Sequence, residues 1–133
     1  MFEIAPKEIE FDGVKYPYKC SNVVLEKIQK ATGDLMKAND LLTGFRPKVD
    51  EDGVVDRTEG TRTFPDVSLV ADSLAWMIEE GIEISKSELT APTALEIKRQ
   101  DEYNLQDLAV IVFTEFNECI AGKKTKKKTK TTK

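Results

Sequence analysis

The sequence predicts an α+β fold, mostly α-helical, with an N-terminal β-hairpin packed on a bundle of four or five helices and a disordered lysine-rich tail. Three observations carry this. Apolar residues alternate on either side of Asp12-Gly13 in IEFDGVKYPY, the pattern of a two-residue hairpin. Apolar residues recur at helical spacing from Val67 to Ile78 and from Leu105 to Ile120. A chain of 133 residues supports one hydrophobic core rather than two. The domain is therefore set at residues 1–122, with 123–133 as the basic tail.

Both central positions of a type I′ turn need positive φ, so Asp12-Gly13 fixes the hairpin register. Phe11 should face Val14, Glu10 should face Lys15 and Ile9 should face Tyr16, placing Ile9, Phe11, Val14, Tyr16 and Tyr18 on one apolar face. Pro17 cannot donate to a ladder and marks an edge. A two-stranded ribbon is marginal alone, so that face must lie on helices. The first is SNVVLEKIQKATG, capped by Ser21 or Asn22 and stopped by Gly33. A second, DLMKANDLLTG, takes Asp34 as cap and Gly44 as stop.

Residues 45–63, FRPKVDEDGVVDRTEGTRT, interrupt the helical periodicity and read as a mobile loop, with room for a small hairpin turning at Asp52-Gly53. Asp50, Asp52 and Gly53 recur in calcium loops, but the other ligands are not at the required offsets. The strongest helix follows over 65–80: Pro65 and Asp66 begin it, Val67, Val70, Leu74, Met77 and Ile78 form its stripe, and Gly81 is expected to end it. In the connection to residue 103, Thr90 and Pro92 open a short helical turn. Asn104 and Asp107 have the spacing of a cap pair for the last helix, 104–121. Its broad apolar surface implies burial on more than one side.

Histidine is absent, which removes the commonest general base. No serine or cysteine lies in a glycine-flanked elbow, and no glycine loop is arranged for phosphate. Cys20 and Cys119 lie far apart without CxxC spacing, and both read as small apolar residues. The expectation is a protein that is not an enzyme, with no catalytic residues, no metal and no cofactor. No stretch is apolar enough for a membrane span and the N-terminus lacks the blocks of a signal peptide, so a cytoplasmic protein without a membrane partner is expected. Residues 1–122 hold 13 basic against 24 acidic side chains, a balance of −11, while the tail AGKKTKKKTKTTK carries seven lysines. Lysines attract phosphate through counterion release, yet the tail has no arginine or aromatic residue to read or stack on bases. The sequence argues against nucleic-acid recognition.

The order of features, FDGVKYPYKCS, then VVLEKIQKATG, a variable charged loop, SLVADSLAWMIEEGIEI, SELT and a last helix before a lysine-rich end, resembles the tail assembly chaperones of long-tailed (siphovirus-type) bacteriophages and prophages. The resemblance covers residues 8–121, and the long 45–63 segment departs from shorter members. It implies a small helical protein of the host bacterial cytoplasm, absent from the mature virion, that binds the tape measure protein and keeps it soluble. The major tail protein is a further partner it suggests. It also implies a second, longer product made by ribosomal frameshift, with the lysine codons of the tail as the slippery site.

Tyr16, Tyr18 and Trp76 are the expected partner-binding residues, because exposed aromatic side chains anchor interfaces. Two other functions fit the same composition: a structural virion component such as a head-tail connector or minor tail protein, and a nucleic-acid-associated protein acting through the lysine tail. An edge strand also leaves room for a homo-oligomer.

Overall fold

The structure is a computed structural model and describes residues 5–122. The lysine tail expected at 123–133 lies outside them. Two antiparallel hairpins and five helices follow one another as β1 (Lys7–Phe11), β2 (Val14–Tyr18), α1 (Asn22–Thr32), α2 (Leu35–Thr43), β3 (Phe45–Val49), β4 (Val55–Arg62), α3 (Val67–Ser85), α4 (Ala94–Arg99) and α5 (Leu105–Ala121). The α+β class and the N-terminal hairpin stand as the sequence predicts.

The first hairpin has the expected register, with Phe11 opposite Val14, Glu10 opposite Lys15 and Ile9 opposite Tyr16. Asp12 and Gly13 both take positive φ, 53° and 80°. Ile9, Phe11 and Tyr18 are buried in the common core, so the ribbon gains from tertiary packing what it lacks alone. It sits on α3, the central helix, which touches β2 and every other helix. Lys19 N donates to Met77 O at 2.9 Å, tying the end of β2 to the middle of α3.

Gly81 does not stop α3. The helix runs on to Ser85 and ends at Lys86, which takes the left-handed conformation. A Cβ at position 81 would collide with the backbone of Pro17 and Tyr18. Glycine is there because β2 crosses the helix at contact distance. Asp66 caps α3 through its bond to Leu69 N at 2.8 Å, and Val67 is exposed rather than part of the core stripe. The short helix α4 is capped by Thr93, three residues after the expected cap Thr90, and Thr93 forms a capping box with Glu96. Asn104 caps α5 by accepting from Asp107 N at 2.8 Å, as its spacing implied.

The segment 45–63 is the main departure from expectation. Instead of a loop it forms a hairpin over nearly its whole length. The turn falls where the alternative placed it: Asp50 accepts from Asp52 N and Val54 N, both at 2.9 Å, and Gly53 has φ 84°.

Candidate partner-binding groove

Helix α2 and the second hairpin enclose an open groove of about 530 Å³. Its placement starts with Asp34, whose side chain accepts from Lys37 N and begins α2. Gly44 ends that helix in the left-handed region, and a Cβ there would strike the backbone of Thr63. The close approach lets Thr63 N donate to Gly44 O at 2.7 Å, so the strands enter and leave side by side. Asp66 N donates to Leu41 O at 2.9 Å and fixes the exit over α2.

A bulge then aims one arginine. The ladder passes from Pro47–Gly60 directly to Lys48–Asp56, so Arg57, Thr58 and Glu59 are extra residues on β4. Asp56 turns the bulge by accepting from both the backbone N (3.0 Å) and hydroxyl (2.6 Å) of Thr58, and these bonds hold its carboxyl below the usual carboxylate range. Arg57 is thereby turned back over α2, where its two terminal nitrogens each meet an oxygen of Asp40 at 2.6 Å. Asp40 is buried, and this bidentate pair satisfies a carboxylate that would otherwise be costly inside the fold. The same hydrogen bonds raise the pKa of Arg57 further. Arg46 adds a second set of ties, donating to Asp40 O, Phe45 O and Phe64 O at 3.2 Å each.

Met36, Leu41, Phe45, Pro47, Val49 and Val55 supply the apolar lining, and Asp34, Lys37, Asp40, Arg46 and Arg57 the polar remainder. Met36, Val49 and Val55 are 58%, 57% and 50% exposed, and Val54 beside them is 60% exposed. A single exposed apolar residue is ordinary, whereas Met36, Val49 and Val55 lining one groove form a surface able to receive another chain's apolar stripe. Acidic Asp50, Glu51 and Asp52 lie at the hairpin tip beyond it.

None of the aromatic residues expected to bind a partner lines this groove. Tyr18 is buried in the core, where burial pushes its hydroxyl pKa up, and it is unavailable as an anchor. Tyr16 is half-buried, its ring centroid 6.1 Å from that of Phe11, on a depression beside α4. Trp76 is half-buried against the core. The signal for the groove was present in PKVDEDGVVDR: three valines in a stretch otherwise charged enough to remain solvated.

A second cluster joins the two ends of the described chain. Glu115 on α5 is buried and accepts from Cys20 N at 3.1 Å, while Lys7 lies 3.1 Å from both Glu115 and Glu118. Burial alone would lower the Lys7 pKa, but hydrogen bonds and charge from the two glutamates outweigh it and the pKa is raised. Contact with Cys119, burial and the Glu115 charge push the Cys20 thiol pKa up, though about a hundred residues separate the two cysteines. Cys20 is buried as expected, and Cys119 is only half-buried. Among the described residues no three histidine, cysteine or acidic side chains converge as a metal site, and no helix is long and apolar enough to cross a membrane.

No family model, curated protein or solved structure matches the chain.

Proposed function

We propose that the protein is a tail assembly chaperone of the long-tailed phage type, an interaction protein without chemistry of its own. On this reading it acts in the cytoplasm of the infected bacterium, holds the tape measure protein soluble while the tail tube forms, and leaves before the virion is complete. One observation supports the reading most: an apolar groove with exposed Met36, Val49 and Val55, on a body of charge −11. A tape measure chain presents apolar helical stripes until tube subunits cover them. A groove of this kind receives an amphipathic helix. The excess of acid selects a stripe flanked by lysine or arginine and keeps the complex dispersed.

The test is co-expression with the tape measure protein of the same phage. The wild-type chain should keep it soluble and co-purify with it. The double variant M36D/V49D should lose that complex while its circular dichroism and thermal midpoint stay near wild type, because both side chains are exposed. An insoluble tape measure protein beside wild-type chain would refute the function. A complex indifferent to M36D/V49D would refute the groove as its site.

A further inference from the structure

The N-terminal hairpin contributes nothing to the groove, and of its two outer edges only one is closed. The tight turn makes Phe11 and Val14 a hydrogen-bonded pair, and pairing alternates from there. Lys7, Ile9 and Phe11 bond across to β2, while the N–H and C=O groups of Glu8 and Glu10 point outward. Neighbours in the same rows fix that direction. Asp12 N, next in the outward row of β1, donates to Glu102 Oε1 at 2.9 Å, and beyond β2 Lys19 N donates outward to Met77 O at 2.9 Å. The β2 edge is thereby taken up by α3: Pro17 has no N–H to offer, and Gly81 lets the helix backbone lie against it. On the β1 edge nothing among the described residues bonds the outward groups of Glu8 and Glu10, and β1 pairs only with β2. Both glutamates are exposed, and neither is in an ion pair among the described residues.

We propose that the outer edge of β1 is a strand-addition site for an extended basic segment of another polypeptide, one in which lysine or arginine alternates with β-branched residues. The backbone of such a segment satisfies the free N–H and C=O groups, and its alternate cations stand beside Glu8 and Glu10. Charge identifies the occupant. A second copy pairing antiparallel through the same edge sets Glu8 against Glu10 when centred on Ile9, and Glu8 against Glu8 or Glu10 against Glu10 when shifted along it. Like charges directly opposed destabilise a ladder, and charged side chains on an edge discourage self-association. A basic strand turns the same two carboxylates from a barrier into a recognition element. The balance of −11 over residues 1–122 draws such a segment in from further away. The edge is short, so binding is modest and sensitive to salt.

The probe is a synthetic peptide of alternating lysine and threonine, blocked at both ends and mixed with the full chain at low salt. At saturation it should slow exchange of the Glu8 and Glu10 amides by roughly tenfold, read residue by residue by NMR. E8K/E10K replaces two exposed side chains and should weaken binding by roughly tenfold, while gaining the corresponding glutamate–threonine peptide. Amides of alternate peptide residues face β1, so N-methylating the lysines or the threonines should abolish binding in one case only. The absence of binding at low salt would overturn the proposal. So would binding that leaves the Glu8 and Glu10 amides exchanging as in the free chain, ignores E8K/E10K, or responds alike to both methylations. Protection of those amides without peptide, in a wild-type dimer, would assign the edge to a second copy and overturn it as well.

Discussion

Replacing Gly81 by alanine should destabilise the protein, although helix propensity alone predicts the reverse. Inside a helix, alanine is favoured over glycine by about 1 kcal/mol. At this position the added methyl meets the backbone of Pro17 and Tyr18, which cannot swing aside as a side-chain end would. Overpacking costs about 1–3 kcal/mol even where side chains yield. If β2 lifts to make room, the Lys19 N to Met77 O bond at 2.9 Å is lost, at about 1 kcal/mol. Part of the burial of Ile9, Phe11 and Tyr18 goes with it, each worth about 1.5–3 kcal/mol when complete. The balance is a net loss of about 2–4 kcal/mol once the propensity gain is subtracted. Urea unfolding followed by the fluorescence of Trp76, the single tryptophan and little more than a turn from Gly81, reads it directly. The midpoint should fall by about 1–2 M. An unchanged or higher midpoint would mean that the hairpin is not seated on α3 as described.

Ser73 is fully buried on α3 and its hydroxyl meets no partner among the described residues, so S73A should stabilise by about 0.5–1 kcal/mol in the same urea assay. K7M should cost about 1–2 kcal/mol near neutral pH by leaving Glu115 buried without its cation, a value discounted because Lys7 is partly exposed. The raised pKa values of Lys7 and Tyr18 mean that the folded state holds protons the unfolded chain releases. Their contributions are therefore intact below about pH 10 and decline as pH rises through the folded-state values, so the gap between wild type and K7M should narrow in alkaline melts. R57A should release the second hairpin without unfolding the body: amide exchange should quicken across 45–62 and remain slow across 7–18.

What the sequence made legible was local. Asp12-Gly13 sets the first register because the turn accepts few residue types. Ser21, Asp34 and Asn104 cap their helices because each can reach an N–H two or three residues on. The failures share a cause, which is contact between distant segments. Gly81 looks like a stop until Pro17 is found against it, and Tyr18 looks like an exposed anchor until α3 covers it. The Asp40–Arg57 pair depends on a bulge that no local pattern announces. Glu115 reads as one more surface acid until Lys7 and Cys20 N reach it across the whole domain.

The two hairpins show which part of the chain is kept for a partner. Both are two-stranded, a form that water alone supports poorly. The first resolves this by burying alternate side chains, and its strands contribute Ile9, Phe11 and Tyr18 to the core. The second buries none of its residues, and every residue of β4 is exposed. Backbone bonds at Gly44–Thr63, the Arg46 contacts and the Arg57–Asp40 pair hold it over α2 instead. These ties are polar, so they fix the arm's position without consuming its apolar side chains. Val49 and Val55 consequently add little to the stability of the chain that carries them, and their placement with Met36 along one groove gains a physical rationale only when a second polypeptide covers it.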